Sequence, residues 1–199
     1  MAASPSGPIS SHLLSDTAVI DAEGRLSVGG CLLQDLADEF GTPLFVYDEA
    51  HLRERCRRAV RAFGDSVYYA TKAFLCTEMA RIADQEGLRF DVSTGGELFV
   101  VLNAGVDPAR VVMHGNNKSK PELRMAIEAG VERIVVDSFD EMDRLEQLFA
   151  EGLGPVPVLL RITPGVKAHT HEYLTTGADD SKFGFTVSTG AAASAVERA

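Results

Sequence analysis

The chain has 199 residues, 45 % of them apolar, and a formal net charge of −10. That is enough apolar sequence for one core, and the wrong sign for a nucleic-acid or anionic-membrane partner. No apolar run approaches the ~20 residues of a membrane span, and "MAASPSGPISSHLL" has no basic segment leading into an apolar core, so no secretion signal is expected.

The first residues are small, polar and proline-containing, and disorder is expected there. "AVIDAEGRLSVGGC" predicts a short hairpin around Glu23-Gly24. "LQDLADEFG" predicts a short helix closed by Gly41, and "PLFVYD" a strand. "EAHLRERCRRAVRAFG" has helical periodicity and a glycine stop. From Val67 the chain becomes regular. Apolar strand candidates begin near Val67, Arg89, Val111, Ile134, Val158 and Lys182, at intervals of 22, 22, 23, 24 and 24 residues. The first four lead into helical stretches: "TEMARIADQEG", "GGELFVVLNAG", "PELRMAIEAG" and "FDEMDRLEQLFAEG". The fifth leads into a long polar loop. This is a repeated β/α unit whose strands, such as "RIVVD" and "VPVLLRI", read as continuous apolar runs buried on both faces.

Two α/β architectures fit: a (β/α)8 barrel and an open doubly wound sheet. The even spacing and the lack of GxGxxG after an early strand favour the barrel. A barrel built at this spacing needs about two more strands, so a fragment with about six of eight strands is expected.

The helix-to-strand turns are plain, with glycine placed to cap the helix in the left-handed region. The polar chemistry collects in the opposite turns: Lys72, Asp91, "HGNNKSK" (114–120), Asp137-Ser138, and Arg161 with the loop after it. In a barrel these turns form the C-terminal face, where active sites sit. Lys72 is either a solvated loop residue or, given the Ala-Phe-Leu-Cys that follows, an amine in apolar surroundings made nucleophilic by desolvation. Glu97 stands three residues after Thr94 in a capping-box spacing that Ser119/Glu122 and Ser138/Glu141 repeat, so capping is its first reading. Asp91 caps the next helix or serves a cofactor. Asn116-Asn117-Lys118 is a polar turn or a phosphate nest. His169 and His171 alternate in a loop without a third ligand of clear spacing, and no metal site is assigned. The three cysteines, Cys31, Cys56 and Cys76, are widely spaced with no CxxC, which fits a reducing cytoplasm and no disulfide scaffold.

"YYATKAFLCTEMARIADQEG" resembles the lysine signature of the pyridoxal-phosphate-dependent decarboxylases of diaminopimelate, ornithine and arginine. "FDVSTGGEL", "HGNNKS", "VDSFDEMDRL" and "LRITPGVKAHTHEYLTTGADDSKFGF" follow in the family's order, and the last resembles the diaminopimelate branch. The resemblance covers about residues 30 to 190. It implies an alanine-racemase-like barrel of PLP fold type III, incomplete here, with a C-terminal β-domain missing. Residues 1–30 would be an extension and the start of the β-domain, and residues 31–199 the partial PLP-binding barrel. The implied reaction converts meso-diaminopimelate to L-lysine and CO2, the last step of lysine synthesis. Lys72 matches the lysine that carries PLP covalently. Asp91, His114 and Arg161 match cofactor-pocket residues, and Glu97 matches a family acid. Further cofactor and dimer-contributed groups are expected beyond Ala199, in a homodimer with shared sites. The fragment alone is expected to be inactive. The alternatives are an arginine- or ornithine-type decarboxylase, a non-catalytic PLP-binding barrel, and a remnant without function.

Overall fold

A computed structural model of the chain describes residues 9–166 and 182–199. His169 and His171 lie outside the described residues, as does the start of the segment expected to be disordered. The chain divides into two compact units, Met1–Val67 with Gln85–Gly87, and Tyr68–Asp84 with Leu88–Ala199.

In the first unit, β1 (Val19–Ile20) and β2 (Leu26–Val28) pair antiparallel. The turn between them forms because the Asp21 carboxylate accepts from the backbone N–H groups of Glu23 (3.0 Å) and Arg25 (2.8 Å), as short acidic side chains do in turns. β3 (Cys31–Leu32) extends the sheet and leads into α1 (Leu33–Phe40), which ends at Gly41. α2 (Glu49–Phe63) starts at Asp48, whose side chain accepts from His51 N–H, and stops at Gly64. The "PLFVYD" strand does not form. Among the described residues no strand lies alongside 43–48, and Phe45 is 88 % exposed. Strand propensity without a ladder partner does not make a strand.

The second unit is the repeat. Its elements run β4 (Tyr68–Ala70), α3 (Thr77–Gln85), β5 (Arg89–Val92), α4 (Gly95–Asn103), β6 (Val111–Met113), α5 (Lys120–Ala129), β7 (Arg133–Val136), α6 (Phe139–Ala150), β8 (Val158–Leu160), β9 (Ile162–Thr163), β10 (Phe185–Thr186) and α7 (Ala191–Arg198). β4 to β8 are all parallel and lie side by side in sequence order. A doubly wound sheet reverses its order at a switch point; here the order never reverses, so the sheet is a barrel wall. Arg161 alone separates β8 from β9, and its backbone N–H continues the ladder to Val136 O at 2.9 Å. β10, which answers to the sixth expected strand but begins at Phe185 rather than near Lys182, pairs parallel with β9.

β5, β6 and β7 are packed by buried side chains: Phe90, Val92, Val111, Met113 and Ile134 are essentially inaccessible, as are Leu98, Leu123 and Leu148 from the helices, whereas in β8, expected to be buried on both faces, Leu159 is exposed. Each such side chain contributes about 1.5–3 kcal/mol through burial. The helices stop as the glycines require. Gly130, at φ 76° and ψ 43°, donates its N–H to Ala126 O and Ile127 O, closing α5 in the left-handed region. At the N-terminal ends of the strands, Glu132 accepts from Tyr68 Oη (2.7 Å) and Arg89 Nη1 (3.1 Å) and pairs with Arg133. Burial pushes the Glu132 carboxyl up, but the Tyr68 hydrogen bond and the two arginines outweigh it and hold it below its usual range.

Candidate active site

The parallel strands bring their C-terminal ends to one side, and the polar residues follow in strand order. Lys72 lies in the 3-10 turn Thr71–Ala73 after β4 and is exposed. Of its two readings, the exposed loop residue is the one found: the turn carries the side chain past the strand end. The buried residue is its neighbour Thr71, 1 % exposed. The Thr71 hydroxyl donates to Glu97 Oε2 (2.6 Å), with Asp91 O at 3.0 Å as a second acceptor. Glu97 Oε2 also accepts from Ser93 N–H at 2.8 Å.

The capping expectation for Glu97 is therefore half met. Thr94 does accept from Glu97 N–H, but the Glu97 carboxylate does not return to the cap. It anchors the turn that carries Lys72. Among the described residues only α5 has the full box: Ser119 accepts from Glu122 N–H while Glu122 accepts from Ser119 N–H. Asp91 is no cap either, since Thr94 fills that place. Its carboxylate oxygens lie 3.2 and 3.1 Å from His114 Nδ1. An ionised carboxylate only accepts, so Nδ1 carries the proton and Nε2 is left for other partners. His114 is held at this height because its N–H donates to Val92 O at 2.6 Å. The turn after it needs Gly115: at φ 105°, a Cβ there would sit 2.7 Å from Ser93 O.

The phosphate-nest reading of "NNK" does not hold for Lys118, which is 1 % exposed. Its Nζ donates to Gly115 O (2.6 Å) and Val135 O (2.7 Å) and lies 2.7 Å from Glu141 Oε1. Burial pushes the Lys118 amine down and the Glu141 carboxyl up, and each charge opposes the shift of the other. Glu141 Oε2 accepts from Asp137 N–H at 3.1 Å. Asp137, 3 % exposed, faces Arg161 Nη1 at 3.3 Å. The Arg161 guanidinium also lies over the Phe183 ring, 4.2 Å from its centroid.

The structure thus links Asp91 with His114, and joins the Lys72 turn to Glu97 and Asp91 through Thr71. Arg161 stands in a separate cluster with Asp137. Sequence reasoning missed Thr71 and the Lys118–Glu141 pair. Glu141 was hidden by its capping spacing, and Thr71 carries no pattern beyond preceding the lysine. Among the described residues no group of three His, Cys, Asp or Glu side chains is placed to hold a metal, and no helix is long and apolar enough to cross a membrane.

Comparison with known proteins agrees with this architecture. The chain is 52 % identical over 180 residues to diaminopimelate decarboxylase of Mycobacterium leprae, covering 89 % of the chain and 38 % of that protein. It is 47 % identical over 190 residues to diaminopimelate decarboxylase of Bacillus subtilis, covering 93 % and 43 %. The crystal structure of diaminopimelate decarboxylase from M. jannaschii in complex with L-lysine superposes with a TM-score of 0.82 at 32 % identity, over 92 % of this chain and 44 % of that one. The chain therefore spans about 40 % of the length of the curated relatives it matches. Residues 49–199 match the family described as pyridoxal-dependent decarboxylase, pyridoxal binding domain, and the chain belongs to that family.

Proposed function

We propose that the protein decarboxylates meso-diaminopimelate to L-lysine and CO2 with pyridoxal phosphate, and that Lys72 carries the cofactor. The observation that carries this reading is the exposed Lys72 amine on a turn pinned by the Thr71–Glu97 bond at the C-terminal end of β4. A carbonyl cofactor needs such an amine, accessible and fixed at its backbone. Bound there, pyridoxal phosphate supplies an electron sink for the bond to the departing carboxylate.

The chain's own residues divide the remaining work. Asp91 holds the His114 imidazole in one tautomer, so that ring presents Nε2 to the pocket. Arg161 offers a fixed cation at the end of β8. Glu97 keeps the Lys72 turn in place. The residues thus fit the carbonyl end of the cofactor. The phosphate end is another matter, since Lys118 is committed to Glu141. The substrate assignment is supported by the identity to diaminopimelate decarboxylases, and residues 31–199 are taken as the cofactor-binding barrel. A cytoplasmic homodimer belongs to the same reading; the free cysteines Cys31, Cys56 and Cys76 suit a reducing compartment.

The test is reduction with borohydride after incubation with pyridoxal phosphate, followed by peptide mapping. The expected result is a stable pyridoxyl label on Lys72 that Lys72→Ala abolishes. A label that persists on another lysine refutes the assignment. Turnover of meso-diaminopimelate against arginine and ornithine in the native-length protein checks the substrate.

A further inference from the structure

Asp137 has no part in the chemistry above, yet it is a buried carboxylate beside a residue assigned to the cofactor. Burying a carboxylate is unfavourable unless its oxygens are paired, so its partners indicate what it is for. Oδ1 faces Arg161 Nη1 at 3.3 Å, and Oδ2 accepts from Gly184 N–H at 3.0 Å. Gly184 opens the path into β10 in a tight place. At φ +71°, a Cβ there would lie 2.6 Å from Arg161 O, and the next residue, Phe185, donates its N–H to that same oxygen at 2.7 Å. One carboxylate therefore joins the Arg161 side chain to the backbone of the neighbouring strand.

Asp137 is itself held from behind. Its N–H is taken by Glu141, and Glu141 is paired with Lys118, whose amine reaches Gly115 O and Val135 O. This polar chain runs from the loop after β6, across the end of β7, to β10. The Arg161 guanidinium, with an acid at Nη1 and its central carbon over the Phe183 ring, is restrained by two contacts.

We infer that Asp137 is a positioning residue: it aims the Arg161 guanidinium at the cofactor site and clamps the Gly184 approach to β10 beside it. It acts through Arg161 and touches no cofactor atom. The inference rests on the role given to Arg161 under the proposed function.

The experiment is a double-mutant cycle on the native-length protein with two readouts. One is the dissociation constant for pyridoxal phosphate, titrated by the visible absorbance and induced circular dichroism of the bound cofactor. The other is the thermal midpoint without cofactor. Asp137→Asn keeps an oxygen for Gly184 N–H and removes the charge facing Arg161. It is expected to raise the dissociation constant about tenfold or more, the size of one lost charge-assisted hydrogen bond, and to alter the induced dichroism. In an Arg161→Met background the same change should shift the constant less than about twofold, because the residue it acts through is gone. If Asp137→Asn is insoluble, Asp137→Glu, which keeps the charge at a longer reach, is read by the same coupling. An unchanged constant in Asp137→Asn, or an equal rise with and without Arg161, overturns the inference and leaves Asp137 a structural acid. A parent protein that takes up no cofactor overturns the functional reading and this inference together.

Discussion

Lys118→Met removes the ammonium that donates to Gly115 O (2.6 Å) and Val135 O (2.7 Å) and is ion-paired with Glu141 Oε1 at 2.7 Å. The side chains of Lys118 and Glu141 are 1 % and 2 % exposed, so solvent does not screen the loss. Breaking a buried pair by deleting one partner costs about 3–5 kcal/mol, because the other charge stays buried and uncompensated. For a chain of this size each kcal/mol lowers the thermal midpoint by about 2–4 °C, so a fall of roughly 6–20 °C is expected. Lys118→Met/Glu141→Gln removes both charges and keeps an acceptor for Asp137 N–H, and should recover at least about half of the loss. The single variant also has a pH signature. Burial pushes the Glu141 carboxyl above its usual value of 4.5, and Lys118 is the charge that opposes this. Without it the folded-state pKa rises further above the unfolded one. Stability is then gained as pH falls through that raised pKa and lost as pH rises. The deficit should be larger near pH ~8 than near pH ~5. Chemical denaturation followed by far-ultraviolet circular dichroism at the two pH values measures it. A single variant within about 1 kcal/mol of the parent, or a double variant as unstable as the single, would refute the reasoning.

Glu132→Gln should remove part of the acid sensitivity. The Glu132 carboxyl is held below its unfolded value near 4.5, so its contribution is complete above that value and lost as pH falls toward the folded-state pKa. Denaturation midpoints between pH ~5 and ~3 should fall less steeply in the variant than in the parent, and parallel curves would count against the ion cluster. Gly184→Ala places a Cβ 2.6 Å from Arg161 O at a positive φ. A loss of about 1–3 kcal/mol is expected in thermal or chemical unfolding, and a neutral result would mean that the β9–β10 approach is looser than described.

The repeat was legible in the sequence because its cause is local. Apolar runs at regular intervals, glycines after helices and Ser or Thr before them specify each strand and helix without reference to distant residues. β5, β6 and β8 begin at the residues expected from the pattern, and β4 and β7 within one residue. The family was legible for a similar reason, since its motifs are contiguous stretches such as "YYATKAF" and "SKFGF". The "PLFVYD" segment failed because strand formation depends on a ladder partner that apolar content does not reveal. The site was only partly legible. The sequence placed Lys72, Asp91, His114, Asp137 and Arg161 at successive strand ends, but spacing does not say which side chain reaches which. Glu97 and Glu141 share one capping spacing, yet one bonds Thr71 and the other Lys118. Those partners lie 26 and 23 residues away in sequence, and only the parallel register of neighbouring strands brings them together. The same register decided that Lys118 is buried and Lys72 exposed, because burial is a property of the packed sheet and not of a lysine's neighbours in the chain.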